Sequence, residues 1–111
     1  MKDDRLYLIH ILECMQRIER YTAPGRDAFF SDTMMQDAVL RNLHTLSEST
    51  QRLSDALRDR HREVDWFSIA GFRNVIVHDY LGVNLTTIWD IVERDLPELK
   101  LAVMAMVDLD R

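Results

Sequence analysis

The sequence predicts an all-α protein, an antiparallel bundle of four helices with an optional fifth. With 3 glycines and 2 prolines in 111 residues, the chain has few places to turn, which favours long helices. Apolar residues recur at intervals of three and four, and no stretch alternates strictly like a half-buried strand. The length suits a single domain, residues 1–111, with one core.

Composition and charge restrict the setting and the partners. The formal net charge of −5 counts against broad, non-specific nucleic-acid binding, although it leaves room for a local basic cleft. Cys14 is the sole cysteine, so no internal disulfide is possible and a cytoplasmic location is expected. No apolar run approaches the roughly 20 residues of a membrane span, and the acidic start does not suit a secretory signal.

The first predicted helix covers residues 4–21, with Asp3 or Asp4 as its cap. Its apolar positions are Leu8, Ile11, Leu12, Met15, Ile18 and Tyr21. A turn at Pro24-Gly25 follows. His10 and Glu13 lie one helical turn apart, but no second pair has matching spacing, so we expect no metal site.

The second predicted helix opens with Ser31 as N-cap and continues without a break to Asp59. Small or polar residues interrupt its apolar stripe at Asn42, Ser49 and Thr50, where another helix could approach closely. Within it, Glu48 either faces a buried arginine or lies in solvent. The segment ends in a basic cluster made of Arg58, Arg60, His61 and Arg62. This cluster either complements the helix dipole or meets an anionic partner.

The remaining predicted helices cover residues 65–80, 85–94 and 96–108. Gly82 ends the first of these and Asn84 caps the next. The run Asp95-Leu96-Pro97-Glu98 has the pattern of a helix restart, with a cap, an early proline and a capping-box glutamate. The sequence leaves open whether Pro97 breaks or merely kinks one long helix.

Residues 73–80, which read RNVIVHDY, hold polar groups that are costly to embed among apolar ones unless they are paired or used. On a helical wheel, Ile69, Phe72 and Ile76 face the bundle core, with Arg73 and Tyr80 beside them. The opposite side carries Phe67, Gly71, Asn74 and His78 instead of the charged residues of a solvated face. We therefore expect the same helix of a second subunit to cover this side, forming a homodimer.

Two copies of Arg73, Asn74 and His78 in one cleft would suit RNA cleavage without a metal or other cofactor. Histidine titrates near neutrality and can act as base or acid, and arginine can hold the phosphate. Asn74 can orient the imidazole or contact the sugar. The spacing alone is weak, because Arg5 and His10 repeat it. The copy at Arg73 differs in its flanking asparagine, tyrosine, glycine and apolar face.

With the pieces GFRN, VHDYLGVN, IWDIVE and DLPEL in this order, the sequence resembles the HepT-like toxins of the HEPN superfamily. The resemblance implies a helical dimer with metal-independent endoribonuclease activity, Arg73 and His78 being catalytic and Asn74 supporting. It also implies a type II toxin–antitoxin system in which a nucleotidyltransferase antitoxin adenylylates Tyr80. Where that family often has Gly-Glu-Ala, this chain has Ser47-Glu48-Ser49, which puts the local packing in question.

Another interpretation is a helical binding module without catalysis, a dimeric partner or substrate subunit of a nucleotidyltransferase. The net charge of −5 favours this alternative. A third interpretation is a plain helical dimer in which His78 is a packed, hydrogen-bonded residue. The sequence does not identify the RNA target or the position of the cut.

Overall fold

The computed structural model describes residues 2–78 and 84–109, and of these it leaves the side chains of residues 2, 73–78 and 109 undescribed. These parts of the chain are α-helical and contain no strand, which confirms the all-α prediction. The helices are α1 (Lys2–Thr22), α2 (Arg26–Ser31), α3 (Thr33–Gln51), α4 (Asp55–Arg60), α5 (Trp66–His78), α6 (Leu85–Asp90) and α7 (Leu96–Leu109), with a π-helical turn at Ile91–Asp95 between the last two.

Helix α1 forms where its periodicity predicts, because its apolar residues return to one side of the helix every three or four positions. The buried ones are Leu8, Ile11, Cys14, Met15 and Ile18. The helix ends before the predicted turn at Pro24-Gly25. Gly25 has a φ of 106°, a left-handed conformation that glycine adopts without steric cost.

The start of the second segment differs from the prediction. Ser31 is the last residue of a short helix, α2, and its hydroxyl donates to the backbone oxygen of Asp27 at 3.1 Å. Asp32 caps α3 instead, because its carboxylate accepts from the backbone nitrogens of Met34 at 3.0 Å and Met35 at 3.2 Å. Both residues are good caps, and sequence alone does not rank two such neighbours.

The prediction of one unbroken helix from Ser31 to Asp59 is wrong. Helix α3 ends at Gln51, and Ser54 then caps α4. The cause is a long-range contact, since the backbone nitrogen of Ser54 donates to Asp4 Oδ1 at 2.8 Å and its hydroxyl to Oδ2 at 2.6 Å. A helix continuing through this point could not present Ser54 to α1 in the same way.

Helix α3 lies at the centre of the bundle and packs against α1 on one side and α5 on another. Two of its four buried polar residues donate to backbone oxygens about one turn earlier, as expected for polar groups away from water. Asn42 donates to the backbone oxygen of Ala38 at 2.9 Å, and Thr50 donates to that of Ser47 at 2.7 Å. Asn42 and Thr50 are therefore satisfied within α3, whereas Ser49 Oγ has its polar neighbour, His10 Nδ1, on α1.

The C-terminal part is helical throughout, from Leu85 to Leu109. Asn84 caps it as predicted, accepting from the backbone nitrogen of Thr87 at 3.1 Å. Pro97 does not break the helix, and Asp95 lies inside the π-helical turn instead of capping a new helix. Proline has no N–H and clashes with the carbonyl four residues earlier, so a wider turn just before Pro97 accommodates it.

None of the helices in the described ranges combines the length and the apolar character needed to cross a membrane.

Candidate functional site

Helix α5 carries the predicted site, and its first turn is fixed by capping. The carboxylate of Asp65 accepts from the backbone nitrogen of Ser68 at 3.0 Å and from its hydroxyl at 2.6 Å. Both hydrogen bonds lower the pKa of Asp65 below its ordinary value, and the bond from the Ser68 hydroxyl has the larger effect. Trp66 adds a second tether, because its indole nitrogen donates to the backbone oxygen of His61 at 3.1 Å.

The two sides of α5 have different surroundings. Ile69 and Phe72 are buried and belong to the core, as predicted. On the other side, the ring of Phe67 is 88% exposed. Gly71 also meets open space, because a Cβ placed there has no heavy atom within 4 Å. Where its side chains are described, at Phe67 and Gly71, the outer side of α5 is thus apolar and, within one subunit, uncovered.

The predicted catalytic positions lie in the second half of α5. The helix is continuous through His78, so Asn74 and His78 share a face with Phe67 and Gly71 at helical spacing. Arg73 lies about a quarter-turn from Asn74 around the helix axis. The side chains of Arg73, Asn74 and His78 are among those that the structure leaves undescribed, and Tyr80 lies outside the described residues.

The basic cluster predicted at the end of the second segment lies in the last turn of α4 and the turn after it. Arg58 pairs with Asp55 at 2.7 Å, one turn earlier in the helix. The ring nitrogen Nδ1 of His61 lies 3.3 Å from Glu63. Arg60 and Arg62 are exposed. Two of the four positive or titratable groups thus have acidic neighbours in the same region, and both interpretations of the cluster stay open.

Glu48 occupies a half-exposed position on α3. Its carboxylate lies 3.3 Å from His44 Nε2, one helical turn away, and the glutamate side chain is 37% exposed. The flanking serines are buried. Ser49 Oγ lies 3.3 Å from His10 Nδ1, whereas the hydroxyl of Ser47 has no hydrogen-bond partner in the described structure. Both serines of Ser47-Glu48-Ser49 are therefore buried, and of the two only Ser49 has a hydroxyl with a polar neighbour in the described structure.

A groove that the sequence did not predict runs between α5 and α7, with a volume of about 370 Å³. Its floor is apolar, and its lining includes carboxylates from three parts of the chain: Glu63, Asp65, Asp95 and Glu98. Periodicity cannot reveal it, because these residues come together only when α5 has packed against α3 and α7 against α1. Among the described residues, no group of three or more histidine, cysteine, aspartate or glutamate side chains has a geometry that could hold a metal ion.

Comparisons with known proteins agree on one family. A family model described as ribonuclease HepT-like matches residues 11–106. A Caldanaerobacter subterraneus protein named a candidate RNase is 35% identical over 112 residues, which is 100% of each chain. A Thermococcus cleftensis protein named a probable ribonuclease HepT is 32% identical over 95 residues, or 85% of this chain and 86% of its own.

A longer Methanocaldococcus jannaschii protein, named a gamma-glutamylcyclotransferase and candidate RNase, is 35% identical over 112 residues, or 99% of this chain. This chain spans 50% of the length of that relative. No solved structure matches the chain significantly.

Proposed function

Since the chain belongs to the HepT-like ribonuclease family, we propose that it is an endoribonuclease and the toxin of a type II toxin–antitoxin system. The observation that carries the proposal is the family match over residues 11–106, which includes all of α5 with Arg73, Asn74 and His78. The relatives named for RNase activity support the same chemistry for this chain.

The proposed reaction needs no metal. One His78 imidazole removes the proton from a ribose 2′-hydroxyl, whose oxygen attacks the neighbouring phosphorus. The bond from phosphorus to the 5′-oxygen breaks, and that oxygen takes a proton from the protonated His78 imidazole of the second subunit. Arg73 holds the phosphate and stabilises its growing negative charge, while Asn74 orients the imidazole. DNA lacks the attacking hydroxyl, so the activity is specific for RNA.

The proposed homodimer forms on the outer side of α5. Phe67 is 88% exposed there, and covering a phenylalanine side chain fully contributes about 1.5–3 kcal/mol. The open position at Gly71 leaves room for a second helix to approach the backbone closely. A two-fold axis on this face gives each active site residues from both subunits.

The proposed control of the toxin is a nucleotidyltransferase antitoxin that adenylylates Tyr80. Tyr80 lies two residues after His78 in the chain. An AMP group on its oxygen adds bulk and a negative charge near Arg73, which opposes binding of an RNA phosphate. An intact-mass measurement of the protein purified with its antitoxin tests this step, and an unmodified Tyr80 in the silenced complex contradicts it.

A second candidate function is a non-catalytic binding module on which a nucleotidyltransferase acts. The net charge of −5 favours it, because phosphate-binding surfaces are usually basic. The two functions differ in one measurement. A purified dimer that cuts neither tRNA nor messenger RNA, but is still modified on Tyr80, has the second function.

The test of the nuclease is expression in a host that lacks the antitoxin, together with cleavage of total RNA in a metal chelator. We expect growth arrest by the wild type, and His78→Ala to lower cleavage about 100- to 10,000-fold. The matched control is His44→Ala, since His44 is a partly exposed histidine on another helix. If wild type and His78→Ala are equally harmless and equally inactive on RNA, the nuclease assignment is wrong.

A further inference from the structure

The groove between α5 and α7 has the shape of a small binding site. Its floor includes Ile69, Phe72 and Leu99, which are 4–6% exposed, and Ala102. Pockets of roughly 300–1,000 Å³ hold small ligands, and the volume here is about 370 Å³. The groove therefore has room for a few side chains of a partner, not for a whole structural element.

The rim of the groove is acidic on both sides. Glu63 and Asp65 lie just before α5, while Asp95 ends the π-helical turn and Glu98 follows in the first turn of α7; all four are exposed. Asp65 accepts from Ser68 and Glu63 lies 3.3 Å from His61 Nδ1, both on their own side of the groove, while Asp95 has the positive charge of Arg94 nearby.

On the α7 side, three other carboxylates lie close enough to Asp95 to affect its pKa. Partial burial raises the pKa of Asp95, and the charges of Glu98, Asp90 and Asp65 raise it further, while Arg94 opposes them. Like charges held together favour any ligand that brings positive charge between them.

We propose that this groove is a docking site for a partner protein, and that it takes a segment bearing arginine or lysine side chains beside apolar ones. The apolar side chains contact the partly buried Val64 and Ala102, and the cationic groups reach the carboxylates of Asp95 and Glu98. Arginine suits the rim best, because its planar guanidinium can contact a carboxylate through two N–H groups at once.

RNA does not fit this groove, because carboxylates repel phosphates. The groove also lies on the side of α5 that carries Ser68 and Phe72, away from the outer side with Phe67 and Gly71. The inference therefore stands apart from the proposed nuclease and its dimer. A partner held in the groove can be bound whether or not the second subunit covers the outer side.

The test uses the full chain and two fluorescein-labelled peptides, one of leucine and arginine and one with glutamate in place of every arginine. Fluorescence anisotropy is expected to show binding of the arginine peptide alone. The double variant Asp95→Lys with Glu98→Arg is expected to weaken binding at least tenfold. The matched control, Asp37→Lys with Asp108→Arg, changes the net charge equally at exposed sites elsewhere and is expected to bind like the wild type.

Three results overturn the proposal: no binding of the arginine peptide, equal weakening in both double variants, or binding of single-stranded RNA that the groove variant abolishes. A change of oligomeric state in the groove variant, measured by sedimentation, also overturns it, because the occupant is then a second copy. If the charge reversal prevents folding, Asp95→Asn with Glu98→Gln replaces it. That variant is expected to weaken binding several-fold, and wild-type affinity contradicts the proposal.

Discussion

Replacing Asp4 tests the contact that divides the second segment into two helices. Asp4 lies in the first turn of α1 and is 4% exposed. Its carboxylate accepts from the backbone nitrogen of Ser54 at 2.8 Å and from the hydroxyl at 2.6 Å. The hydroxyl oxygen in turn accepts from the backbone nitrogen of Leu57 at 3.1 Å and so caps α4. One carboxylate thus orients the cap of a helix 50 residues away.

Asp4→Ala removes two hydrogen bonds to a charged acceptor and leaves the Ser54 N–H without this partner. Such bonds contribute about 1.5–3 kcal/mol each, and their losses at one site are not additive. We expect the free energy of unfolding of Asp4→Ala to be about 2–4 kcal/mol lower than that of the wild type. At about 4 °C per kcal/mol for a domain of this size, Tm falls by about 8–16 °C. Thermal and urea unfolding followed by circular dichroism measure both quantities.

The matched control is Asp3→Ala, because Asp3 is the exposed neighbour in the same helical turn. It loses only its interaction with the helix dipole, about 0.3–1 kcal/mol. A double-mutant cycle with Ser54→Ala then isolates the contact, and a coupling of about 1 kcal/mol or more is expected. The reasoning is refuted if Asp4→Ala costs no more than Asp3→Ala, or if the effects of Asp4→Ala and Ser54→Ala are additive.

Three further predictions concern the core, the outer side of α5 and the groove. Phe29→Ala is expected to lower the free energy of unfolding in urea by about 3–5 kcal/mol, because Phe29 is fully buried against Trp89 with ring centroids 5.4 Å apart; Leu101→Ala, at a position that is 71% exposed, is its control. Gly71→Ala is expected to stabilise the subunit by up to about 1 kcal/mol but to weaken self-association in sedimentation; unchanged association contradicts the proposed dimer face. Asp95→Asn is expected to raise Tm slightly at pH 7 but to leave it unchanged below about pH 3.8. Folding raises the pKa of the Asp95 carboxyl, so its ionised form destabilises the native state. A gain in Tm that does not depend on pH contradicts this prediction.

The helices of this protein could be predicted because their burial is periodic. Leu8, Ile11 and Ile18 are fully or almost fully buried, as their spacing indicates, and Asn84 caps the helix that follows it. Where two good caps stand side by side, as at Ser31 and Asp32, local preference does not decide between them.

The breaks in the predicted helices depend on contacts that no local pattern contains. Helix α3 ends before Ser54 because that residue is bound by Asp4, which lies 50 residues earlier in the chain, near the start of α1. The π-helical turn at Ile91–Asp95 combines two sequence signals, a helical periodicity that continues and a proline that disfavours it. Each signal can be recognised in the sequence, but the π-helical turn that accommodates both is seen only in the folded structure.

The candidate site was predictable as a position on a helix, and the groove was not. Phe67, Gly71, Asn74 and His78 share a face at fixed spacing, so the sequence alone predicts an unusual second side of α5. The exposed ring of Phe67 and the open position at Gly71 agree with that prediction. The groove combines a loop, a π-helical turn and two helices, and only the fold brings them together.

The distribution of charge around α5 changes how the net charge of −5 bears on function. A net charge opposes RNA binding only where its carboxylates are within reach of the phosphates, and at physiological salt that reach is about 8 Å. Four carboxylates border the groove on the Ser68–Phe72 side of the helix, while Phe67 and Gly71 mark the other side. An acidic protein can therefore keep one helix face suited to a phosphate chain while the opposite side attracts a cationic partner. By this argument, neutralising Asp95 and Glu98 leaves RNA cleavage at 150 mM salt unchanged and alters only the binding of the partner.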